Sequence, residues 1–197
     1  ESNISYATLL GGSFYVKNSD LNIKKLSSRE SSSVHGGFIF GTNDATIALL
    51  DSNINGVTAK DKGGFAYLSS SSNIKVTNSN ATNMIAFERG GGFFIDEYAS
   101  LELFESTFSM MRLSATSLRH GGGIYMGKNT NITASKAIFA NATADKGSCI
   151  FFDDSTHYVD GITCLDSLTV DSGALQVTGG FVYLFNTNIY SSKSLKI

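Results

Sequence analysis

Apolar and polar residues alternate with a period of two over short stretches, which glycine, asparagine, serine or aspartate interrupts at nearly regular intervals. Clear examples are residues 46–50, 73–76 and 101–104. Alternation over three to five residues between turn-forming residues is typical of short β-strands. No window sustains apolar residues at i, i+3, i+4 and i+7, so the pattern predicts strands and no amphipathic helix.

A glycine pair, or a close variant of it, precedes a largely apolar tetrad seven times along the chain. Successive copies lie 25, 27, 28, 31, 25 and 26 residues apart, and each repeat contains two further short alternating stretches. The copies begin at Gly11-Gly12, Gly36-Gly37, Gly63-Gly64, Gly91-Gly92, Gly122-Gly123, Gly147-Ser148 and Gly173-Ala174. Such a period is the signature of a solenoid, in which stacked repeats bury a core that no single repeat can bury alone.

The repeat predicts an all-β fold, a right-handed parallel β-helix (solenoid) with about seven coils of 25–31 residues and three short strands each. Right-handedness is expected because parallel crossover connections are almost always right-handed. Residues 1–197 are expected to form a single β-helix domain. Because both ends fall within a coil and lack a polar cap, the sequence predicts a segment of a longer solenoid, or one that associates end to end.

The Gly-Gly-apolar-apolar repeats resemble the coil repeats of the pectin lyase-like class of right-handed β-helices. They are most similar to the GGA[ILV]-type repeats of polymorphic outer membrane proteins and of related adhesin-like surface proteins. The resemblance covers essentially the whole chain of 197 residues. It implies a scaffold that is secreted or exposed at a cell surface, and it implies no particular ligand.

The tetrad after each glycine pair predicts which side chains face the core. Counting the glycines as positions one and two, positions three and five are nearly all large and apolar and are predicted to lie inside, for example Phe38 and Tyr67. Position four should point outward, yet it is also mostly apolar, which predicts a partner surface. Alternatively, inside and outside are reversed in this strand, or a loop covers it. The predicted interface consists of Phe14, Ile39, Phe94, Tyr125 and Ile150.

Charge and composition exclude several classes of partner. The formal net charge is −2, charged residues make up 16% of the chain, and lysine and arginine appear scattered, so no nucleic-acid partner is predicted. No apolar run approaches the ~18 residues that a membrane-spanning helix needs, so no membrane span is predicted. No cofactor motif is present. The expected partners are a second copy or another protein, through the apolar strand face and the uncapped ends, and glycans are possible ligands.

The cysteines and sequons favour an extracellular location. Cys149 and Cys164 match no zinc or redox spacing, and they are either small buried residues or a disulfide across one coil. Four N-x-[ST] sequons predict glycosylation sites at Asn3, Asn80, Asn131 and Asn141. Together these features predict a secreted or cell-surface protein.

Candidate chemistry is concentrated in one coil, where five aspartates fall between residues 153 and 171: Asp153, Asp154, Asp160, Asp166 and Asp171. Asp153 and Asp154 are a weak candidate for calcium, and paired carboxylates also serve polysaccharide hydrolysis. No recognisable calcium loop and no companion base or cation accompanies them, so no catalytic residue and no firm metal ligand is assigned. His35 and His120, each before a glycine, are interpreted as structural corner residues.

One stretch imitates a phosphate-binding loop, since Gly122 and Gly127-Lys128 have the spacing of that motif. Asn129 stands where serine or threonine should follow the lysine, and no helix follows to hold a phosphate. The stretch is therefore interpreted as one more copy of the repeat.

The sequence predicts a non-catalytic extracellular structural or adhesive β-helix, as a segment of a surface protein or of a self-associating filament. The alternative is a carbohydrate-active enzyme, a polysaccharide lyase or hydrolase, or a sugar-binding module on the same scaffold, because fold alone does not decide function.

Overall fold

The chain is a parallel β-solenoid. The structure is a computed structural model that describes residues 5–6, 9–116, 119–153, 155–169, 173–190 and 193–194, and none of these residues is helical. The all-β parallel solenoid predicted from the repeat is thereby confirmed, as is the number of coils, close to seven. Asn3, Asp154 and Asp171 lie outside the described residues.

Twenty-two strands, β1 to β22, are described. In chain order they are Ser5–Tyr6, Phe14–Lys17, Asp20–Lys24, Ser27–His35, Ile39–Thr42, Thr46–Leu50, Asn53–Lys62, Ala66–Leu68, Asn73–Thr77, Asn80–Ala86, Phe93–Ile95, Ser100–Phe104, Thr107–Leu113, Ile124–Met126, Asn131–Ala144, Ile150–Phe152, Ser155–Leu165, Leu168–Thr169, Leu175–Val177, Gly180–Phe185, Asn188–Tyr190 and Lys193–Ser194.

The strands stack on three faces. The strands that follow the glycines form one seven-stranded parallel sheet, in the order β19-β16-β14-β11-β8-β5-β2, which we call the glycine sheet. On the second face β3, β6, β9 and β12 stack in register onto the first part of β15. On the third face β4, β7, β10 and β13 stack onto its second part. The long strand β15 turns the corner between these two faces and so joins them into one sheet.

The corner between the second and third faces uses left-handed backbone in every coil. Its residues share φ angles between 46° and 55°: Lys25, Asp51, Asn78, Glu105 and Lys136. Left-handed φ is unfavourable for a side chain, but here the amides of Lys25, Asp51, Asn78 and Glu105 each donate to a carbonyl of the next coil, for example Asp51 to Thr77 at 3.1 Å. These inter-coil hydrogen bonds continue the ladder through the corner, and their gain offsets the backbone strain.

Each glycine pair is required for a different reason at its first and second positions. The first glycine has φ between 57° and 69° in the six coils that begin at Gly11, Gly36, Gly63, Gly90, Gly121 and Gly147. The second glycine has no room for a side chain, because a Cβ on Gly64 would lie 2.0 Å from the carbonyl oxygen of Gly91 in the next coil. The corner therefore packs backbone against backbone.

This register corrects the predicted orientation of the glycine sheet. In the fourth and fifth coils three glycines occur in a row, and the pairs equivalent to the others are Gly90-Gly91 and Gly121-Gly122. In the strand register Phe93 therefore pairs with Ala66 and Ile124, in the same column as Ile39, and its partner is not Phe65. The predicted pairs Gly91-Gly92 and Gly122-Gly123 begin one residue too late, and a shift of one residue exchanges the inside and outside of a strand.

The prediction that position four faces outward is wrong for three of the five interface residues. Ile39 and Ile150 are 0% exposed in the main core cluster, and Phe14 packs against that cluster with its ring edge on Phe38. The prediction that position five faces the core is confirmed for Ile95 and Met126, which are buried in the main core cluster, and is wrong for the aromatic residues at this position. Its aromatic residues Tyr15, Phe40, Tyr67 and Phe151 point to the other side of the sheet, where they stack on one another.

At two columns of core positions, the sizes of the side chains compensate each other from coil to coil. One column holds the residue after the second glycine and the other holds the second residue of the third-face strand. From the second coil to the sixth the paired residues are Phe38 with Ile54, Phe65 with Ala81, Gly92 with Phe108, Gly123 with Phe139, and Cys149 with Cys164. A large side chain in one column thus faces a smaller one in the other, which keeps the core close-packed.

Candidate interaction surface

Six aromatic rings form a continuous stack on the outward side of the glycine sheet. They are Tyr15, Phe40, Tyr67, Phe94, Tyr125 and Phe151, and we call them the aromatic column. Successive ring centroids lie 5.6, 4.8, 4.7, 4.9 and 5.4 Å apart. The inter-coil spacing sets these distances, since aligned residues of neighbouring strands are about 4.8 Å apart.

The aromatic column is covered although it faces away from the core. Phe94, Tyr125 and Phe151 are only 2%, 3% and 2% exposed, whereas Tyr15 in the first coil is 50% exposed. An outward ring that is this deeply buried must be screened by other side chains of the same chain.

The cover is a second column, which consists of the residue before the first glycine in five successive coils. Its members are His35, Lys62, Arg89, His120 and Lys146, and we call them the basic column. Parallel bridges join each member to the next, so the five side chains are aligned along the solenoid axis. Each is half-buried.

Four of the five basic side chains, those of His35, Lys62, Arg89 and His120, lie against the aromatic ring of the following coil. The Lys62 ammonium is 5.2 Å from the ring centroid of Phe94, and the Arg89 guanidinium is 5.1 Å from that of Tyr125. The His120 ring stacks on Phe151 at 4.4 Å and 8°. Cations within about 6 Å of an aromatic face are attracted by the ring quadrupole. The basic column therefore stabilises the aromatic column and holds its own charges in fixed positions.

A hydrogen-bonded chain fastens the middle of the two columns. Arg89 Nη1 donates to the Tyr125 hydroxyl at 3.2 Å, and this hydroxyl donates to Asp153 Oδ2. Burial, followed by this bond to Asp153, raises the pKa of Tyr125. Burial and the nearby carboxylates of Asp96, Glu97 and Asp61 raise the pKa of Tyr67 to about 12. Both phenols therefore keep their protons at physiological pH, and Tyr125 donates its proton to Asp153.

The two interface residues that face outward as predicted are Phe94 and Tyr125, and both belong to the covered part of the aromatic column. The side chains that reach solvent on this side belong to the basic column. The interpretation of lysine and arginine as scattered was wrong here. One sequence signal could have revealed the column: the residue immediately before the first glycine is basic in every repeat from the second to the sixth.

Cys149 and Cys164 form a disulfide, with Cα atoms 6.1 Å apart. The bridge spans the interior of the sixth coil, and both residues are at most 1% exposed. Three of the four predicted sequons fall within the described residues, and their asparagines, Asn80, Asn131 and Asn141, are all exposed.

The described aspartates of the aspartate-rich coil are not gathered into one site. Asp153 accepts from Tyr125 and from Thr178 Oγ1, and Asp160 accepts from Asn186 Nδ2 at 2.8 Å. His157 is fully buried, with Nε2 2.7 Å from the Asp153 carbonyl oxygen. Within the described residues, no three His, Cys, Asp or Glu side chains are placed to share a metal ion. The calcium proposal for Asp153 and Asp154 thus gains no support here.

His120 makes the cover sensitive to pH. Burial first, and then the cations Arg89 and Lys146 on either side, lower the pKa of its imidazole from 6.5. Because the unfolded chain takes up this proton at a higher pH than the folded chain, stability should fall as the pH drops below about 6.5.

The substitution His120→Phe keeps a flat ring on Phe151 and removes the titration. We expect the thermal midpoint of the wild type to fall more between pH 7.5 and 5.5 than that of the variant, as measured by circular dichroism. His35 and His157 are present in both proteins, so their contributions cancel in the comparison. Parallel pH profiles would show that His120 does not contribute.

Within the part of the chain that the structure describes, no helix is long and apolar enough to cross a membrane. Compared with models of protein families, with curated proteins and with solved structures, the chain matches none of them significantly.

Proposed function

We propose that this chain is a non-catalytic structural or adhesive scaffold that works outside the cell, as a segment of a surface protein or of a self-associating filament. The observation that carries the proposal is the disulfide inside the sixth coil, at the two core columns that other coils fill with a phenylalanine. A core built around a disulfide suits an oxidising compartment, because disulfides are rare in reducing ones.

The lateral surface supports the scaffold part of the proposal. Solenoids contact only neighbouring repeats internally, and their extended sides serve as binding surfaces. Here the aromatic and basic columns repeat over successive coils without a change of register. The exposed asparagines at 80, 131 and 141 are accessible for glycosylation, which is also an extracellular modification.

The test is intact-mass spectrometry of the protein purified from its native source, after alkylation of free thiols and with and without reductant. We expect no alkylation before reduction, two alkylated cysteines afterwards, and glycan mass on at least one of Asn80, Asn131 and Asn141. Two free thiols together with an unmodified mass would contradict an extracellular scaffold.

The non-catalytic part of the proposal has its own test. A panel of polysaccharides, incubated with the folded protein with and without calcium, is expected to show no turnover. Turnover that Asp153→Asn abolishes would overturn this part and favour a carbohydrate-active enzyme.

A further inference from the structure

We propose that the basic column binds one linear acidic glycan, laid along the solenoid axis with an anionic group opposite each coil. The proposal rests on the extracellular scaffold proposed above in one respect. Acidic glycans are chosen as the polyanion because they are the linear polyanions found outside the cell.

The first step is the spacing. Bridges place His35, Lys62, Arg89, His120 and Lys146 in register on successive coils, so their backbones are about 4.8 Å apart. One step is close to the length of one pyranose unit in an extended chain. A strand of B-form DNA presents phosphates about every 3.4 Å along its axis, which does not match.

The second step concerns the charges around the column. Carboxylates that lie close to its members are those of Asp61, Asp145 and Asp153. Asp145 is held by Arg119, whose Nη2 is 2.5 Å away, and Asp61 lies 3.2 Å from His35 Nδ1. Asp153 accepts from Tyr125 and Thr178.

Among the described carboxylates, none is a partner of Lys62, Arg89 or Lys146. Among the residues that the structure describes, no carboxylate oxygen lies within 4.0 Å of their charged nitrogens. Three cations in one line are therefore free to pair with external anions, and the two histidines between and beside them offer ring N–H donors.

The third step is pre-organisation. Lys62 and Arg89 rest on the rings of Phe94 and Tyr125, and the Tyr125 hydroxyl fixes the guanidinium of Arg89. Long side chains that are already ordered lose less rotamer freedom when a ligand binds. Their partial burial also removes water that an incoming anion would otherwise have to displace.

The experiment measures binding of the folded wild-type chain to fluorescently labelled chains of three kinds at low ionic strength: a sulfated glycan such as heparin, a polyuronate, and neutral dextran. Single-stranded DNA of equal charge serves as a fourth probe. The double variant K62Q/K146Q removes two charges of the column. The matched control K24Q/K128Q removes two exposed lysines elsewhere, at the end of β3 and in the turn after β14.

We expect the sulfated glycan, the polyuronate or both to bind, with affinity falling as salt rises, and dextran not to bind. The K62Q/K146Q variant should weaken binding roughly tenfold or more, given the usual strength of charged hydrogen bonds. The control should change it less than about threefold, the difference expected of exposed charges. Equal thermal midpoints for the two variants would show that folding is not the cause.

Three results would overturn the proposal: no binding of either acidic glycan, equal losses in the two variants, or tighter binding of DNA than of glycan. None of them bears on the disulfide or the sequons, so failure here is distinguishable from failure of the proposed extracellular scaffold.

Discussion

Replacing Gly64 by alanine is expected to remove about 3–5 kcal/mol from the free energy of unfolding, which is large for one methyl group. The new Cβ would stand 2.0 Å from the carbonyl oxygen of Gly91 and 2.9 Å from that of Ile85. Both obstacles are backbone atoms of the solenoid itself, so no side-chain rotation can relieve the overlap. The third and fourth coils would have to separate locally. Urea denaturation followed by circular dichroism measures the loss.

The matched control is Gly173→Ala. A Cβ on Gly173 would come no closer than 3.7 Å to its neighbours, and its φ lies outside the left-handed range. This substitution should leave the denaturation midpoint nearly unchanged. A Gly64→Ala protein as stable as the Gly173→Ala protein would show that the coils are not packed backbone to backbone at this corner.

Removing the disulfide with C149A/C164A is expected to destabilise the protein by about 3 kcal/mol. The two cysteines are separated by 15 residues, and a loop of that length gives roughly this contribution in the chain-entropy account. The alanines also leave a cavity at the centre of the sixth coil, where both sulfurs are buried. Urea denaturation of the oxidised wild type and of the variant gives the difference.

The core columns offer a sharper version of this experiment. In the fifth coil the same two positions hold Gly123 and Phe139, so C149G/C164F copies into the sixth coil a pair that the fold already uses. This variant should be more stable than C149A/C164A, because it refills the cavity, and less stable than the wild type, because it lacks the cross-link. If it is the least stable of the three, the volume exchange between the columns is not what packs this core.

The fold was predictable because the same sequence pattern recurs in each coil. Glycine pairs, alternating stretches and polar corners recur, and a parallel solenoid is the arrangement that buries all of them at once. Glycine and asparagine suit left-handed corners by their own backbone preference. Lys25 and Glu105 adopt the same backbone because inter-coil hydrogen bonds, and not side-chain preference, hold the corner.

The faces of the glycine sheet were harder to predict. Gly92 and Gly123 look like the second glycine of a pair, yet they occupy the core position that Phe38 and Phe65 fill in earlier coils. Only the large residues Phe108 and Phe139, some 16 residues later in the sequence, indicate that a glycine without a side chain can occupy this core position. That the small residue in one column matches a large residue in the other can be recognised only after the strand register is known.

The predicted partner interface was wrong for a related reason, because it too depended on how the coils stack. The outward rings were predicted to meet a partner, because a single tetrad does not show what lies above it. The cover comes from the residue before the glycines, and in four of the five coils this side chain reaches the ring of the next coil. This diagonal contact depends on coil stacking, although the five basic residues themselves stand at one repeat position in the sequence.

The central claim is that the repeats stack as parallel coils in the register described above. Asp20, Asn131 and Tyr158 belong to one column on the second face, with Asn131 four coils and Tyr158 five coils from Asp20. Spin labels on D20C/N131C and D20C/Y158C, read by double electron–electron resonance, measure these separations directly. The account predicts mean distances of about 19 and about 24 Å, differing by one strand spacing. Two distances that differ by much more than one spacing, or that are too broad to define, would contradict it.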